Sequence, residues 1–319
     1  MASTVPTFTL NNGTTIPAIG MGCSMHSQGG GDRVEEMVRK SLKHGYRHFD
    51  TASISANEEN LGKALKESGI PRKELYVATK LWNNEHHKVQ EAFEASLKRL
   101  DTEYIDLYLM HWPQAVIKGT NWFDPPVQPE ESPTYVETWK EMEKLLATGR
   151  VKSIGVSNFS IKTLDHLIKN STVVPAVNQV EMHPCLPENE LKEYCDSKGI
   201  LLVAYSPLGQ SNPLLLAEPT ITSVAEKHNA TPAQVLLSWA VQRGTAVIPK
   251  TENEDRMKAN LQLLKLSEDD MAAVNAIHKK PGMHKSISVV HTLSDDGTVF
   301  GWTYEQLGWN MVKGGIVPQ

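Results

Sequence analysis

Eight times along this 319-residue chain a short apolar run is followed by an amphipathic stretch of helical period. The runs lie in "AIGMG", "RHFDTA", "LYVATKL", "IDLYLMH", "KSIGVSNF", "AVNQVEM", "LLVAYSPLG" and "TAVIPKT". They are near-continuous rather than alternating, as parallel strands covered on both faces should be. Helix-like segments follow, from "DRVEEMVRKSLKHG" to "EDRMKANLQLL". Gly45, Gly69, Gly149, Gly199 and Gly244 stand where left-handed C-caps end helices. Eight strand–helix units predict an α/β chain folded as a (β/α)8 TIM barrel. A doubly wound sheet is the rival, but its first strand leads into a G-x-G-x-x-G turn, and "GMGCSM" does not fit that pattern. Ahead of the barrel, "FTLNNGTTIP" places β-prone runs around Asn-Gly, the signature of an N-terminal β-hairpin. Residues 1–319 read as one barrel domain.

Composition narrows the partners. The net charge is −5, the isoelectric point lies near 6.2, and no basic block stands out, so nucleic acid and anionic membrane are poor fits. No run approaches the roughly 18 apolar residues of a membrane span. "MASTVPTFTLNNGTTIP" lacks the charged and apolar regions of a signal peptide. The three cysteines, at no metal-like spacing, read as reduced thiols, and the expected location is cytoplasmic. Two segments exceed mere connectors: the proline-rich stretch 112–133 and the tail from Pro281. Both are expected as long loops at the C-terminal face of the barrel, where such folds build their sites.

Polar side chains gather where the strands end: Asp50, Lys80, His111, Ser157 with Asn158, Gln179, Tyr205 and Lys250. One such residue is ordinarily a cap or turn residue; seven ends together point to a site. Asp50 and Lys80 admit two readings, an ion pair sealing the barrel top or a charge pair tuning a neighbouring acid. His111 reads as a core histidine or as a site residue. No second His or Cys lies beside it at ligand spacing, so no metal is expected. His26, in "HSQGGG", reads as a surface histidine, with a proton-donating role as the alternative.

The stretches "GYRHFDTA" with "NEENLG", "DLYLMHWP", "IGVSNF", "NQVEMHPCLPENELKEYC", "LVAYSPLG" and "IPKT" followed by Arg256 and Asn260 make the chain resemble the aldo-keto reductases over essentially its whole length. That resemblance implies a (β/α)8 barrel binding NADPH in an extended pose, without a Rossmann domain. It also implies hydride transfer to the carbonyl of an aldehyde, ketone or open-chain sugar, a small-molecule partner. Of the family's Asp, Tyr, Lys and His, this chain has Asp50, Lys80 and His111; the tyrosine's place, five residues after the aspartate, is held by Ser55. Ser24 stands where a pocket-lining tryptophan is common. By the same resemblance Tyr205 stacks on the nicotinamide, and Ser157, Asn158 and Gln179 bond its carboxamide. Ser206 and Leu208 line the pyrophosphate path. Lys250, Thr251 and Arg256 grip the 2′-phosphate, with Asn260 near the adenine. Glu252, directly after that lysine and threonine, and Ala259 depart from the pattern, and Glu252 leaves room for some NADH use. Ser24, Trp82, Trp112 and Trp302 are the expected substrate wall, with Trp122 in the same loop; Trp139 and Trp239 read as packing.

Ser55 is where the expected chemistry weakens. A serine hydroxyl has a pKa several units above a phenol, and its oxygen lies roughly 4 Å nearer the backbone. A water held by Ser55, Lys80 and His111 could stand in. General-acid help is worth about 10²–10⁴-fold, so carbonyl reduction is expected to be slowed. Three explanations stay open: an engineered or inactivated reductase, a pocket remodelled for a bulky substrate, or a site in which His111 and a water suffice for reactive carbonyls. The alternative class is an NADP(H)-binding protein or non-redox enzyme that kept the fold. Monomer and homodimer both fit.

Overall fold

The computed structural model describes residues 5–25, 29–117 and 124–318; His26 and Trp122 lie outside the described residues. The chain opens with a hairpin, β1 (Thr7–Thr9) against β2 (Thr15–Pro17), in which Phe8 faces Ile16. Gly13, at φ 83°, makes its turn. Eight strands follow: β3 (Met21–Gly22), β4 (His48–Asp50), β5 (Tyr76–Leu81), β6 (Ile105–Met110), β7 (Val151–Ser157), β8 (Val177–Glu181), β9 (Leu201–Tyr205) and β10 (Ala246–Val247). Each pairs in parallel with the next in chain order. The two outer strands also meet. Ile19 bridges Val247 in parallel, Gly20 N donates to Val247 O at 2.8 Å, and Gly22 N donates to Pro249 O at 3.1 Å. Among the described residues these contacts close the ring, as the repeat predicts.

Strand geometry then decides what reaches the top. Side chains two apart share a face. His48, Tyr76, Ala78, Leu107, Leu109, Val177, Val203, Ala246 and Ile248 are all buried, and the hairpin residues Leu10 and Ile16 close the lower end of the same apolar cluster. One further step of two along six of the strands arrives at Asp50, Lys80, His111, Gln179, Tyr205 and Lys250. The sequence pattern therefore carries six polar side chains to one end of an otherwise apolar barrel. A larger apolar layer fills the space between the strands and the outer helices.

The crossover helices are α1 (Asp32–Lys43), α2 (Glu58–Glu67), α3 (Val89–Arg99), α4 (Tyr135–Leu146), α5 (Ile161–Lys169) and α6 (Asn189–Lys198), then, after the short α7 (Pro213–Leu216) and α8 (Pro219–Lys227), α9 (Pro232–Gln242) and α10 (Glu254–Asn260). The five anticipated cap glycines all have φ between 69° and 101°. Besides the four-residue α7, two helices escape the sequence reading: α8, capped by the Glu218 carboxylate, and α11 (Glu268–Asn275), opened by a capping box of Ser267 and Asp270. Both caps are written in the sequence; neither helix follows a strand, so a search for strand–helix units passes over them. The tail adds the strand pair β11 (Thr298–Val299) and β12 (Trp302–Thr303) and the single turn α12 (Tyr304–Leu307), stopped by Gly308 at φ 74°. Among the described residues no helix is long and apolar enough to cross a membrane.

Gly62, in the "NEENLG" stretch, lets α2 press on the end of α3: a Cβ there would lie 2.3 Å from Leu100 O. Alanine would gain about 1 kcal/mol of helix propensity and lose more to overpacking against backbone, typically about 1–3 kcal/mol. Gly62→Ala is expected to lower stability, read as a reduced midpoint in urea unfolding.

Candidate active site

Asp50 and Lys80 form an ion pair at the top of the barrel, Nζ to Oδ1 at 2.5 Å, with both side chains at most 7 % exposed. Burial of two charges is costly unless the remaining donors and acceptors are bonded. They are: Lys80 also donates to Thr51 O at 2.7 Å, and Gln179 Nε2 donates to Asp50 Oδ2 at 2.8 Å. The pair is a bonded unit spanning β4, β5 and β8.

His111 follows β6. Its ring stands edge-on to Trp82, with centroids 5.1 Å apart, and its Nδ1 is buried with no hydrogen-bond partner among the described residues. Burial first, and the Lys80 charge second, hold its pKa well below the ordinary histidine value, so the ring is neutral near pH 7. A buried lone pair is less costly than a buried N–H. With the proton on Nε2, Nδ1 buries only a lone pair and His111 can donate a hydrogen bond through Nε2.

A second set of bonds forms a shelf beside this pair. Ser157 Oγ donates to Gln179 O at 2.7 Å, Asn158 Nδ2 donates to His111 O at 3.0 Å and to Ser157 Oγ at 3.1 Å, and Tyr205 OH donates to Asn158 Oδ1 at 2.9 Å. Asn158 and Ser206 hold φ at 65° and 48°, left-handed conformations directly after β7 and β9. Leu208 follows, half-buried. The shelf thus joins Ser157, Asn158, Gln179 and Tyr205 to His111 and, through Gln179, to Asp50.

Ser55 ends a single 3-10 turn (Ser53–Ser55) that packs on β5. Its backbone is tied at both ends: Ser55 N donates to Ala52 O at 3.0 Å, and Gly29 N donates to Ser55 O at 3.1 Å. The quoted residues just beyond it are structural. Asn57 donates to Cys23 O and accepts from Thr51, while Glu58 accepts from Thr79 and Arg99. Ser24 is exposed two residues past β3.

Lys250, Thr251 and Arg256 do come together beyond β10: Arg256 Nε donates to Thr251 Oγ1 at 3.1 Å, and Asn253 caps the N-terminus of α10. Glu252 is engaged. Arg33, from the first turn of α1, grips it with two bonds at 2.8 and 3.0 Å, and Lys250 bonds it at 2.6 Å. Arg33 carries no mark in the sequence reading because it comes from the opposite edge of the sheet closure. Asn260 is 3 % exposed, at the buried end of α10.

The tryptophans belong to a wall made by the two long segments. Trp82, Trp112 and Trp302 are all buried. Phe300 stands edge-on to Trp82 and Trp112, at 5.8 and 4.9 Å, and Trp112 meets Trp309 at 6.0 Å. Trp302 Nε1 donates to Val127 O at 2.8 Å, Gln114 Nε2 to Val299 O at 2.9 Å, and a Cβ on Gly301 would lie 2.5 Å from Pro126. Trp139 and Trp239 are fully buried under helices, with their N–H groups bonded to Val173 O and Asn275 Oδ1. One anchor was not legible in the sequence: the buried Glu181 carboxylate, at the end of β8, accepts from Ser286, Ile287 N, Ser288 N and His183, pinning the tail to the barrel. Among the described residues no three His, Cys, Asp or Glu side chains gather as metal ligands.

A sequence model described as "Aldo/keto reductase family" matches residues 18–279. Glycerol 2-dehydrogenase (NADP(+)) of Saccharomyces cerevisiae is 44 % identical over 295 residues, covering 88 % of this chain and 93 % of that enzyme. Aldehyde reductase YPR1 of the same yeast is 40 % identical over 89 % of this chain and 94 % of its own length. The crystal structure of a Bombyx mori aldo-keto reductase in complex with NADP matches with a TM-score of 0.78 at 35 % identity, over 86 % of this chain and 93 % of that one.

Two measurements test the electrostatics. Lys80→Met leaves Asp50 as an unopposed buried charge and is expected to cost about 3–5 kcal/mol of unfolding free energy, with a smaller cost when Asp50→Asn is added. His48 and His86 are buried neutral, chiefly by desolvation, with pKa values lowered to about 4 and about 3. Each contributes stability that is whole above the unfolded value near 6.5 and is lost as pH falls toward the folded value, at about 1.4 kcal/mol per pH unit per ring. Replacing His48 by Asn is expected to flatten the loss of stability between pH 6.5 and 4, measured against the unchanged protein.

Proposed function

The chain belongs to the aldo/keto reductase family, and on that premise we propose that it reduces the carbonyl of an aldehyde or ketone with hydride from NADPH, through a site in which Ser55 stands where the proton donor should be. The observation that carries this reading is the bonded Asp50–Lys80 pair beside a neutral His111, with Gln179 linking the pair to the Ser157–Asn158–Tyr205 shelf. The residues present fit the cofactor. Lys250, Thr251 and Arg256 form the cationic and hydroxyl donor set that a phosphate dianion takes. Tyr205 is held by its bond to Asn158, and Ser206 and Leu208 follow it in the chain, where the resemblance sets the pyrophosphate.

When bound, NADPH supplies the hydride. The chain's task is to stabilise and protonate the oxygen that becomes an alkoxide. Lys80 contributes positive charge held in place by Asp50, and His111 presents its Nε2 proton. Ser55 is too short to reach the place of a phenol oxygen, so proton delivery depends on a water or on His111. The small Ser24 and Ser55 leave room for a bulky carbonyl beside Trp82, Trp112 and Trp302. The two yeast relatives' names make dihydroxyacetone, the ketone of glycerol oxidised at C2, and simple aldehydes the first substrates to try. Some use of NADH, a cytoplasmic location and a monomer or homodimer accompany this reading. The second reading is a protein that binds NADP(H) but has lost or exchanged the redox step; what favours it is Ser55.

Loss of reduced-nicotinamide absorbance with a panel of aldehydes and ketones tests the proposal. Ser55→Tyr is expected to raise the rate about 10²–10⁴-fold. No turnover by either protein with any carbonyl, despite quenching of tryptophan fluorescence by NADPH, would favour the second reading.

A further inference from the structure

Glu252 sits among the residues that the cofactor reading assigns to the 2′-phosphate, yet it carries the same sign of charge as that phosphate. Its Oε1 accepts from both Lys250 Nζ at 2.6 Å and Arg33 Nη2 at 2.8 Å, and its Oε2 accepts from Arg33 Nε at 3.0 Å. Two cations from distant parts of the chain therefore converge on one carboxylate oxygen, within a phosphate's width of each other. The paired bonds to Arg33 have the fork geometry with which arginine also binds phosphate. Thr251, between Lys250 and Glu252 in the chain, accepts from Arg256 Nε at 3.1 Å.

We propose that Glu252 is a built-in competitor for the nucleotide's 2′-phosphate: by occupying Arg33 and Lys250 it sets how strongly the chain prefers NADPH to NADH. The inference rests on the cofactor reading above and adds Arg33 and Glu252 to it. The side chains of Arg33, Glu252 and Lys250 are 58 %, 35 % and 26 % exposed, so the ion pairs are partly solvated and exchangeable. The two cations hold the carboxyl at about 2, so the competitor is fully charged wherever the cofactor binds. An arriving phosphate must take over cations already engaged and tolerate a neighbouring negative charge. A ribose with a free 2′-hydroxyl meets no such opposition and can donate to the carboxylate. The same residue thus weakens one nucleotide and spares the other.

Glu252→Gln removes the charge and keeps the size. Calorimetric titration with 2′,5′-ADP and with 5′-AMP reads the adenine end alone, independent of turnover and of Ser55. Glu252→Gln is expected to tighten 2′,5′-ADP about three- to tenfold, the scale of two partly exposed ion pairs, with 5′-AMP unchanged or weaker. The gain should shrink as salt is raised. Arg33→Gln should cost more 2′,5′-ADP affinity in the Glu252→Gln background than alone, because only there is Arg33 free for the phosphate. If 2′,5′-ADP binds the unaltered protein but Glu252→Gln weakens it, leaves it unchanged or shifts both probes equally, this inference falls and the cofactor reading stands. If neither probe binds any of the proteins, the cofactor reading falls and takes the inference with it.

Discussion

Two opposite charges buried side by side at the mouth of an apolar barrel are the arrangement on which the rest of the site depends. Neither Asp50 nor Lys80 can be there alone, since an isolated buried charge costs several kcal/mol even after relaxation. Their mutual bond, the Thr51 carbonyl and the Gln179 amide make burial tolerable. Those partners arrive on different strands, so the pair can form only when the ring of strands is in register. In return it fixes a positive charge next to His111 and helps keep that ring neutral. Fold and chemistry share this contact.

Much of this was readable from the chain. Near-continuous apolar strands, each followed by a helix, dictate a covered parallel sheet, and stepping by two along six of the strands delivers Asp50, Lys80, His111, Gln179, Tyr205 and Lys250 to one end. Position along a strand is local information, and local information is what a sequence displays best. The cap glycines belong to the same class, because a left-handed residue is needed wherever a helix must stop and turn.

The unreadable parts are contacts between segments far apart in the chain. Glu252 directly follows Lys250 and Thr251, and nothing in "PKTENEDR" announces that Arg33, across the closure of the sheet, grips it. Glu181 sits in a quoted motif, yet its role as anchor depends on Ser286, Ile287 and Ser288, more than a hundred residues downstream. Asn260, placed near the adenine by resemblance alone, is enclosed at the end of α10, and no local pattern announces that burial. In each case the residue type was visible and the partner was not.

The stitching of the tail to the 112–133 segment has a corollary. Trp302 to Val127, Gln114 to Val299 and the close fit of Gly301 on Pro126 weld two stretches of chain into one surface. Such a surface is not modular: grafting a homologue's C-terminus alone would bring a seam cut for a different counterpart. Chimaeras are therefore expected to stay stable only when the two stretches are exchanged as a unit.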